Sequence, residues 1–230
     1  MFWIIFIGFL VASWLVSYRL KSKFRKYSQI PIQNGMSGAE AAAQMLRDNR
    51  IYDVQITCVP GQLTDHYNPA DKTINLSEPV FYGRSAASVA VAAHETGHAV
   101  QHATAYGMLE FRSAMVPVQN ISSKILNIIF WVSLLGGIFF LGLPYKLVLL
   151  AIIACYAVIS LFSLVTLPVE LDASKRALAW VESRGIVTES EYGMAKDALK
   201  WAALTYIVAA ASSLTFLFYY VLQYLGMSDD

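Results

Sequence analysis

The chain has 230 residues, of which 57% are hydrophobic and only 14% are charged. Soluble domains carry charge on roughly a quarter of their residues, so this composition excludes an ordinary soluble domain and indicates a membrane protein. The formal net charge is only +1, and the basic run at 19–26 has no interleaved aromatic or glycine-rich recognition pattern, so no nucleic-acid partner is expected.

Charge-free runs predict about four transmembrane helices. Each run approaches or exceeds the roughly 17–25 residues that cross a bilayer, and they cover residues 2–17, 125–145, 147–169 and 201–227. The first is interpreted as an uncleaved anchor, because it lacks the cleavage site of a signal peptide. The distribution of Lys and Arg predicts that residues 18–124 and 168–200 are cytoplasmic and that both termini lie outside.

Between the first two spans, the pattern predicts a small α+β region. Ser37-Gly-Ala-Glu40 is a capping box that begins a helix ending near Asn49. Strands are predicted over residues 52–59, 62–67 and 72–77, the last two joined by a hairpin-type turn. A single turn and a helix over about 85–105 follow. We expect a short antiparallel sheet, whose exposed edge can accept an extended peptide.

The helix over about 85–105 contains the sequence His94-Glu95-Thr-Gly-His98. Residues four apart share a helix face, so the two imidazoles can bind one metal ion while Glu95 reaches a water beside it. This is the arrangement of zinc peptidases, with Glu95 as general base. The small uncharged flanking residues predict a buried helix. The alternative is a buried His–Glu hydrogen-bonded cluster without a metal.

A catalytic zinc site needs a third protein ligand. His102 lies eight residues after His94, about 12 Å along a straight helix, so it cannot share the ion. Glu170 follows the third predicted span, and two crossings return it to the side that carries the histidines. We predict that Glu170 is the third ligand, in the first turn of a helix that restarts at Pro168.

Four further side chains are candidates for supporting roles. Asp172 is the next candidate after Glu170, as a ligand or as the partner of a histidine N–H. His66, Tyr67 and Arg176 are candidates for stabilising the oxyanion, and the choice among them stays open. An ordinary strand histidine is the alternative interpretation of His66.

Three motifs carry a resemblance to a known family: D-H-Y-N-P-x-D-K-T-I-N-L-S at 65–77, H-E-T-G-H-A-V-Q-H at 94–102 and L-P-V-E-L-D-A-S-x-R-A at 167–177. Over essentially its whole length, the chain resembles the bacterial membrane-bound neutral zinc metallopeptidases of the YugP-like type. The resemblance implies a gluzincin-type H-E-x-x-H…E site with one Zn²⁺ per chain. His94, His98 and Glu170 would be its metal ligands, and Glu95 its catalytic residue.

The layout is also similar to that of the HtpX and CAAX-protease class of membrane metalloproteases. Those proteins carry an Asp four residues after the ligand Glu, where this chain has Ser174. The nearest acid here is Asp172, so the resemblance leaves open which side chain supports the ligand histidines.

We therefore expect a mainly α membrane protein with about four transmembrane helices and a small α+β zincin-like cytoplasmic metalloprotease domain. The expected segments are an N-terminal transmembrane anchor (1–18), a cytoplasmic zincin-like region with the metal helix (19–124), a transmembrane hairpin (125–167), a cytoplasmic helical segment with the third ligand (168–200) and a C-terminal transmembrane helix (201–226).

The expected function is a zinc-dependent endopeptidase that hydrolyses peptide bonds with a metal-activated water and Glu95 as general base. It would be a multi-pass protein of the bacterial cytoplasmic membrane, with its active site on the cytoplasmic side and a peptide or membrane protein as substrate. The alternative is a non-catalytic membrane zinc-binding protein, a scaffold or metal sensor. Glu95 argues against that alternative, because a structural site needs no base.

Overall fold

A computed structural model describes residues 1–135, 142 and 144–227 of the chain. The fold is mainly helical with one small sheet. In chain order, the elements are α1 (Phe2–Ser28), α2 (Gly38–Asp48), β1 (Gln55–Val59), β2 (His66–Asn68), β3 (Thr73–Ser77), α3 (Glu78–Phe81), α4 (Ala86–Ala103), α5 (Gly107–Leu134), α6 (Tyr145–Ser183) and α7 (Glu189–Leu225).

These elements form two compact units. The first contains the described residues of Met1–Ser13, Phe111–Leu167 and Tyr206–Asp230, and the second contains Trp14–Glu110 and Pro168–Thr205. Both units are assembled from separated stretches, because α1, α6 and α7 each contribute to both. The five segments expected from the sequence, with their sides of the membrane, stay a prediction.

Three helices in the described part of the chain, α1, α6 and α7, are long and apolar enough to cross a membrane, judged by length and composition. The second predicted span, residues 125–145, begins in α5 and continues into 136–141 and 143, which lie outside the described residues. Within the first unit, Tyr156 stacks on Phe216 and Tyr220, with ring centroids 5.5 and 5.6 Å apart.

The three strands form one sheet in the order β1-β3-β2. β2 and β3 pair antiparallel with Tyr67 opposite Ile74, as the predicted hairpin requires. β1 pairs parallel with β3, with Gln55 opposite Thr73, so the sheet is mixed and the expected antiparallel pairing is wrong for β1. β2 carries the chain back from the level of Asn75 to that of Thr73, so β3 runs in the same direction as β1. The sheet is mixed because β3 lies between β1 and β2. β2 lies at one edge of the sheet.

Helix α4 is the buried centre of the second unit. Ser85 caps it, because its hydroxyl accepts a hydrogen bond from the Ser88 N–H at 3.1 Å. Small side chains allow α2 and β3 to pack closely around it, with Met45, Ile74 and Leu76 almost fully buried in the shared core. The prediction of a buried helix is confirmed.

Two polar clusters join the long helices to other elements of the second unit. Asp48, the last residue of α2, accepts a hydrogen bond from Trp180 Nε1 at 2.8 Å. Asp197 on α7 accepts one from the Tyr27 hydroxyl at 2.6 Å and pairs with the Lys23 ammonium at 2.8 Å. The first cluster joins α6 to α2, and the second joins α7 to α1.

Helix α6 runs without a break from Tyr145 to Ser183, so the predicted helix restart at Pro168 is wrong. Proline removes the N–H that would bond to the carbonyl four residues earlier. Long apolar helices tolerate this loss, because neighbouring groups and small backbone adjustments satisfy the freed carbonyl. Glu170 therefore lies in a helix interior rather than in a first turn. The helix dipole, which favours a carboxylate only in the first turn, does not explain its position.

Helices α4 and α6 approach each other closely at Gly97. A Cβ atom at this position would lie 2.7 Å from the carbonyl oxygen of Ala173 and 3.2 Å from its Cα. Both are backbone atoms of a helix and cannot rotate away. Glycine is therefore required for this separation between the two helices that carry the predicted ligands.

We expect Gly97→Ala to lower the free energy of unfolding by about 1–3 kcal/mol, because the added methyl group overlaps the α6 backbone. Gly193→Ala on α7 is the matched control, since a Cβ there would meet no atom within 4 Å. The control should raise stability by roughly 0.5–1 kcal/mol through reduced backbone entropy. Denaturant unfolding in detergent measures both, and equal midpoints for the two variants would contradict the close approach.

Candidate metal centre

His94 and His98 on α4 and Glu170 on α6 lie together in the second unit. Each offers one ligand atom, and these atoms all lie within 4.8 Å of one another. Glu170 Oε2 is 3.2 Å from His94 Nε2 and 3.6 Å from His98 Nε2. His98 and Glu170 are buried, and His94 is partly exposed. The side chains of His94 and His98, one turn apart on α4, thus meet the side chain of Glu170, which lies 72 residues after His98 in the sequence.

Gln101, a fully buried residue one helix turn after His98, determines which ring nitrogen of His98 carries the hydrogen. The Gln101 amide NH₂ donates to the Val169 carbonyl and to Asp172 Oδ2, both at 2.8 Å. Because these partners only accept, the Gln101 carbonyl oxygen must be the atom that faces His98 Nδ1, at 3.0 Å. Nδ1 therefore carries the hydrogen. His98 Nε2, the nitrogen that faces Glu170, is the one available to a metal cation.

His94 has an equivalent support from α6. Its Nδ1 lies 3.1 Å from the hydroxyl of Ser174, which can donate or accept. Ser174 is one helix turn after Glu170, so a single face of α6 supplies both the third ligand candidate and the support for His94.

Asp172 and Arg176 form a pair beside the centre. Arg176 Nε donates to Asp172 Oδ2 at 2.6 Å, and the same carboxylate oxygen accepts from Gln101. Asp172 therefore reaches His98 through Gln101 instead of bonding to a histidine N–H itself. The Arg176 guanidinium lies 6.0 Å from the ring centroid of Tyr106, within the range of a cation–π contact.

Glu95 is buried next to His94 and His98, and one of its two carboxylate oxygens is hydrogen-bonded. Its Oε2 accepts a hydrogen bond from the Tyr67 backbone N–H at 3.0 Å. Burial lowers the pKa of the His98 imidazole, but the nearby Glu170 and Glu95 carboxylates outweigh that effect and raise it overall. The same two carboxylates favour any positive charge at this point, whether a proton or a metal cation.

The two remaining predicted residues lie on β2. His66 is exposed, and its Nδ1–H donates to the Thr64 carbonyl at 2.9 Å. The Tyr67 hydroxyl lies 2.7 Å from His102 Nδ1. Burial, with the charges of Asp53 and Asp71, raises the pKa of Tyr67 to about 12, so its hydroxyl stays protonated at neutral pH.

Sequence reasoning missed Gln101 and Ser174. The available signal for Gln101 was its position: it is an uncharged polar residue on a helix otherwise predicted to be buried, three residues after His98. Buried amides have to find hydrogen-bond partners, and a ligand histidine on the same face is a natural one. Ser174 stood where the similar metalloprotease class has an acid, and its hydroxyl makes the contact instead.

Comparison with known proteins identifies the family of this chain. The sequence profile of the family described as "Putative neutral zinc metallopeptidase" matches residues 2–225. The chain belongs to this family. It is also 41% identical over 218 residues to "Putative membrane protease YugP" of Bacillus subtilis (strain 168), covering 95% of this chain and 94% of that protein. No solved structure matches the chain.

The residues present fit the zinc ion that the family name implies. Two imidazole nitrogens and one carboxylate oxygen are a donor set of catalytic zinc sites, which leave the fourth position open. Gln101 and Ser174 hydrogen-bond to His98 and His94, as the outer contacts that orient zinc-binding histidines do.

We expect Gln101→Met to lower the affinity for zinc by about 10–100-fold, because His98 loses the acceptor that orients its ring. Titration against a competing chelator measures the affinity. Gln62→Met in an exposed loop is the matched control and should bind zinc like the unmodified protein. Equal affinities for the two variants would remove Gln101 from the site.

Proposed function

We propose that the protein is a membrane-anchored zinc-dependent endopeptidase. The observation that carries this proposal is the convergence of His94, His98 and Glu170, with the carboxylate of Glu95 buried one residue from the first ligand. A structural zinc site usually fills its fourth position with Cys or His and needs no carboxylate beside it. The arrangement supports hydrolysis better than a non-catalytic role as a scaffold or metal sensor.

Zinc, when bound by the three ligands, supplies a Lewis acid that polarises a carbonyl group and makes water more acidic. Glu95 then acts as general base and general acid. One of its oxygens is held by the Tyr67 N–H, and the other has no hydrogen-bond partner among the described residues. This second oxygen takes the proton of the attacking water and delivers it to the leaving amine.

A peptide segment or a membrane protein is the proposed substrate. β2 lies at the edge of the sheet and contacts α4 through Tyr67, so an extended peptide bound along β2 would pass next to the metal centre. Among the oxyanion candidates, Tyr67 and Arg176 already bond to His102 and Asp172. This favours His66, whose only hydrogen bond among the described residues is from Nδ1–H to a neighbouring carbonyl. His66 would act as the doubly protonated imidazolium, because in the neutral ring Nε2 carries no hydrogen and cannot donate to an oxyanion.

The apolar helices and the membrane-protease relative are consistent with membrane association. We propose further that the protein crosses the bacterial cytoplasmic membrane several times and that the metal centre faces the cytoplasm. Support comes from the basic residues, which are concentrated in 19–26 and 175–200. Such residues are retained on the cytoplasmic side.

The proposal predicts that Glu95→Gln keeps one zinc per chain and lowers kcat by about 10²–10⁴-fold, because proton transfer is lost while the ligands stay. Cleavage of casein or a membrane peptide, with and without chelator, is measured together with zinc content. Glu110→Gln is the control, since Glu110 is exposed. Proteolysis that survives in Glu95→Gln contradicts the mechanism, and zinc binding without any cleavage by the unmodified protein supports the non-catalytic alternative.

Glu170→Ala should lower zinc affinity by more than the roughly 10–100-fold expected for loss of an outer contact, because a ligand itself is removed. Glu182→Ala provides the control on the same helix, at an exposed position. Metal analysis after dialysis gives the readout. Undiminished zinc content in Glu170→Ala would exclude Glu170 as a ligand.

A further inference from the structure

Tyr67 joins β2 to α4 at two points. Its backbone N–H donates to Glu95 Oε2 at 3.0 Å, and its hydroxyl lies 2.7 Å from His102 Nδ1. Glu95 and His102 are seven residues apart, which is two turns of a helix, so both lie on the face of α4 that meets β2. One residue of the edge strand is thus attached to the catalytic helix by its backbone and by its side chain.

β2 needs this second attachment because the sheet holds it weakly. The strand has three residues and pairs only with β3, in a register that puts Tyr67 opposite Ile74. The Tyr67 N–H points away from β3, since it bonds to Glu95. Short edge strands with few hydrogen bonds open readily. The bond between the Tyr67 hydroxyl and His102 keeps β2 against α4. It therefore preserves the hydrogen bond from the Tyr67 N–H to Glu95.

We propose that Tyr67 is a positioning residue for Glu95: its hydroxyl bond to His102 fixes β2 on α4, so that its N–H holds one carboxylate oxygen and directs the other towards the reacting water. The inference rests on the proposed function, because it assigns Glu95 the role of base. It also gives His102, which cannot reach the metal, a place in the site.

The hydrogen bond from Tyr67 acts on orientation. A carboxylate with one oxygen held by a backbone N–H loses rotational freedom, and charge-assisted bonds of this kind are stronger than neutral ones. Small misplacements of a catalytic group cost a large part of its rate contribution. The ligands of the metal lie on α4 and α6 and do not depend on β2.

The test begins with Tyr67→Phe, which removes the hydroxyl and keeps the N–H. We expect kcat to fall about tenfold, the effect of one lost hydrogen bond, with KM and zinc content unchanged. Tyr52→Phe is the matched control, because Tyr52 is 79% exposed and its hydroxyl makes no hydrogen bond to the described residues.

Changes at His102 test the same bond from the other side. His102→Leu should reduce kcat as much as Tyr67→Phe, and the double variant should lose no more than either single one, because both remove one interaction. His102→Asn retains a polar group near the position of Nδ1 and should restore most of kcat. A further loss in the double variant, or no recovery in His102→Asn, overturns the proposal.

A second readout does not depend on activity. Amide hydrogen exchange takes place in the full-length protein, in detergent with chelator present. The exchange is then read from the proteolytic fragment that covers residues 64–70. Tyr67→Phe and Glu95→Ala should both accelerate exchange of the residue-67 amide, and Tyr52→Phe should not. Unchanged exchange in Tyr67→Phe, or zinc content that falls together with its kcat, overturns the positioning role. If the unmodified protein cleaves nothing, the proposed function fails, and the exchange comparison still decides whether Tyr67 positions Glu95.

Discussion

The close approach of α4 and α6 at Gly97 is the constraint on which the metal centre depends. The contact places Ala173 against the turn between His94 and His98, and Glu170 lies three residues before Ala173 on the same helix. A wider separation would move the carboxylate away from both imidazoles together. The glycine inside the H-E-T-G-H motif therefore sets the distance between the Glu170 carboxylate and the imidazoles of His94 and His98.

Burial imposes the second condition, because polar groups between packed helices are costly unless each has a partner. The centre meets it with hydrogen bonds that leave little choice of orientation. Gln101 donates to two acceptors and so can only accept from His98, while Ser174 supports His94 from α6. Groups fixed in this way lose little entropy when a ligand binds, which is what preorganisation of a metal site requires.

Local signals predicted local structure well. The Ser37–Glu40 capping box, the hairpin of β2 and β3 and the buried α4 all follow from short patterns, and the structure contains each of them. Structure that depends on residues distant in the sequence was harder to predict. The parallel pairing of β1 depends on β3 lying between β1 and β2, and the continuity of α6 through Pro168 depends on how neighbouring groups satisfy its backbone.

The same limit applies to the site. The motif points to His94, Glu95 and His98, and the count of two predicted spans points to Glu170. The sequence does not show that Gln101 accepts from His98 or that the Tyr67 N–H donates to Glu95, because both contacts depend on the folded structure. Under the proposed function, the candidate ligands His94, His98 and Glu170 are held by the contact of α4 with α6, whereas one oxygen of Glu95 is held by a three-residue strand. Changes where β2 meets α4 are therefore expected to lower turnover and to leave zinc content unchanged. Changes at the helix contact are expected to lower both.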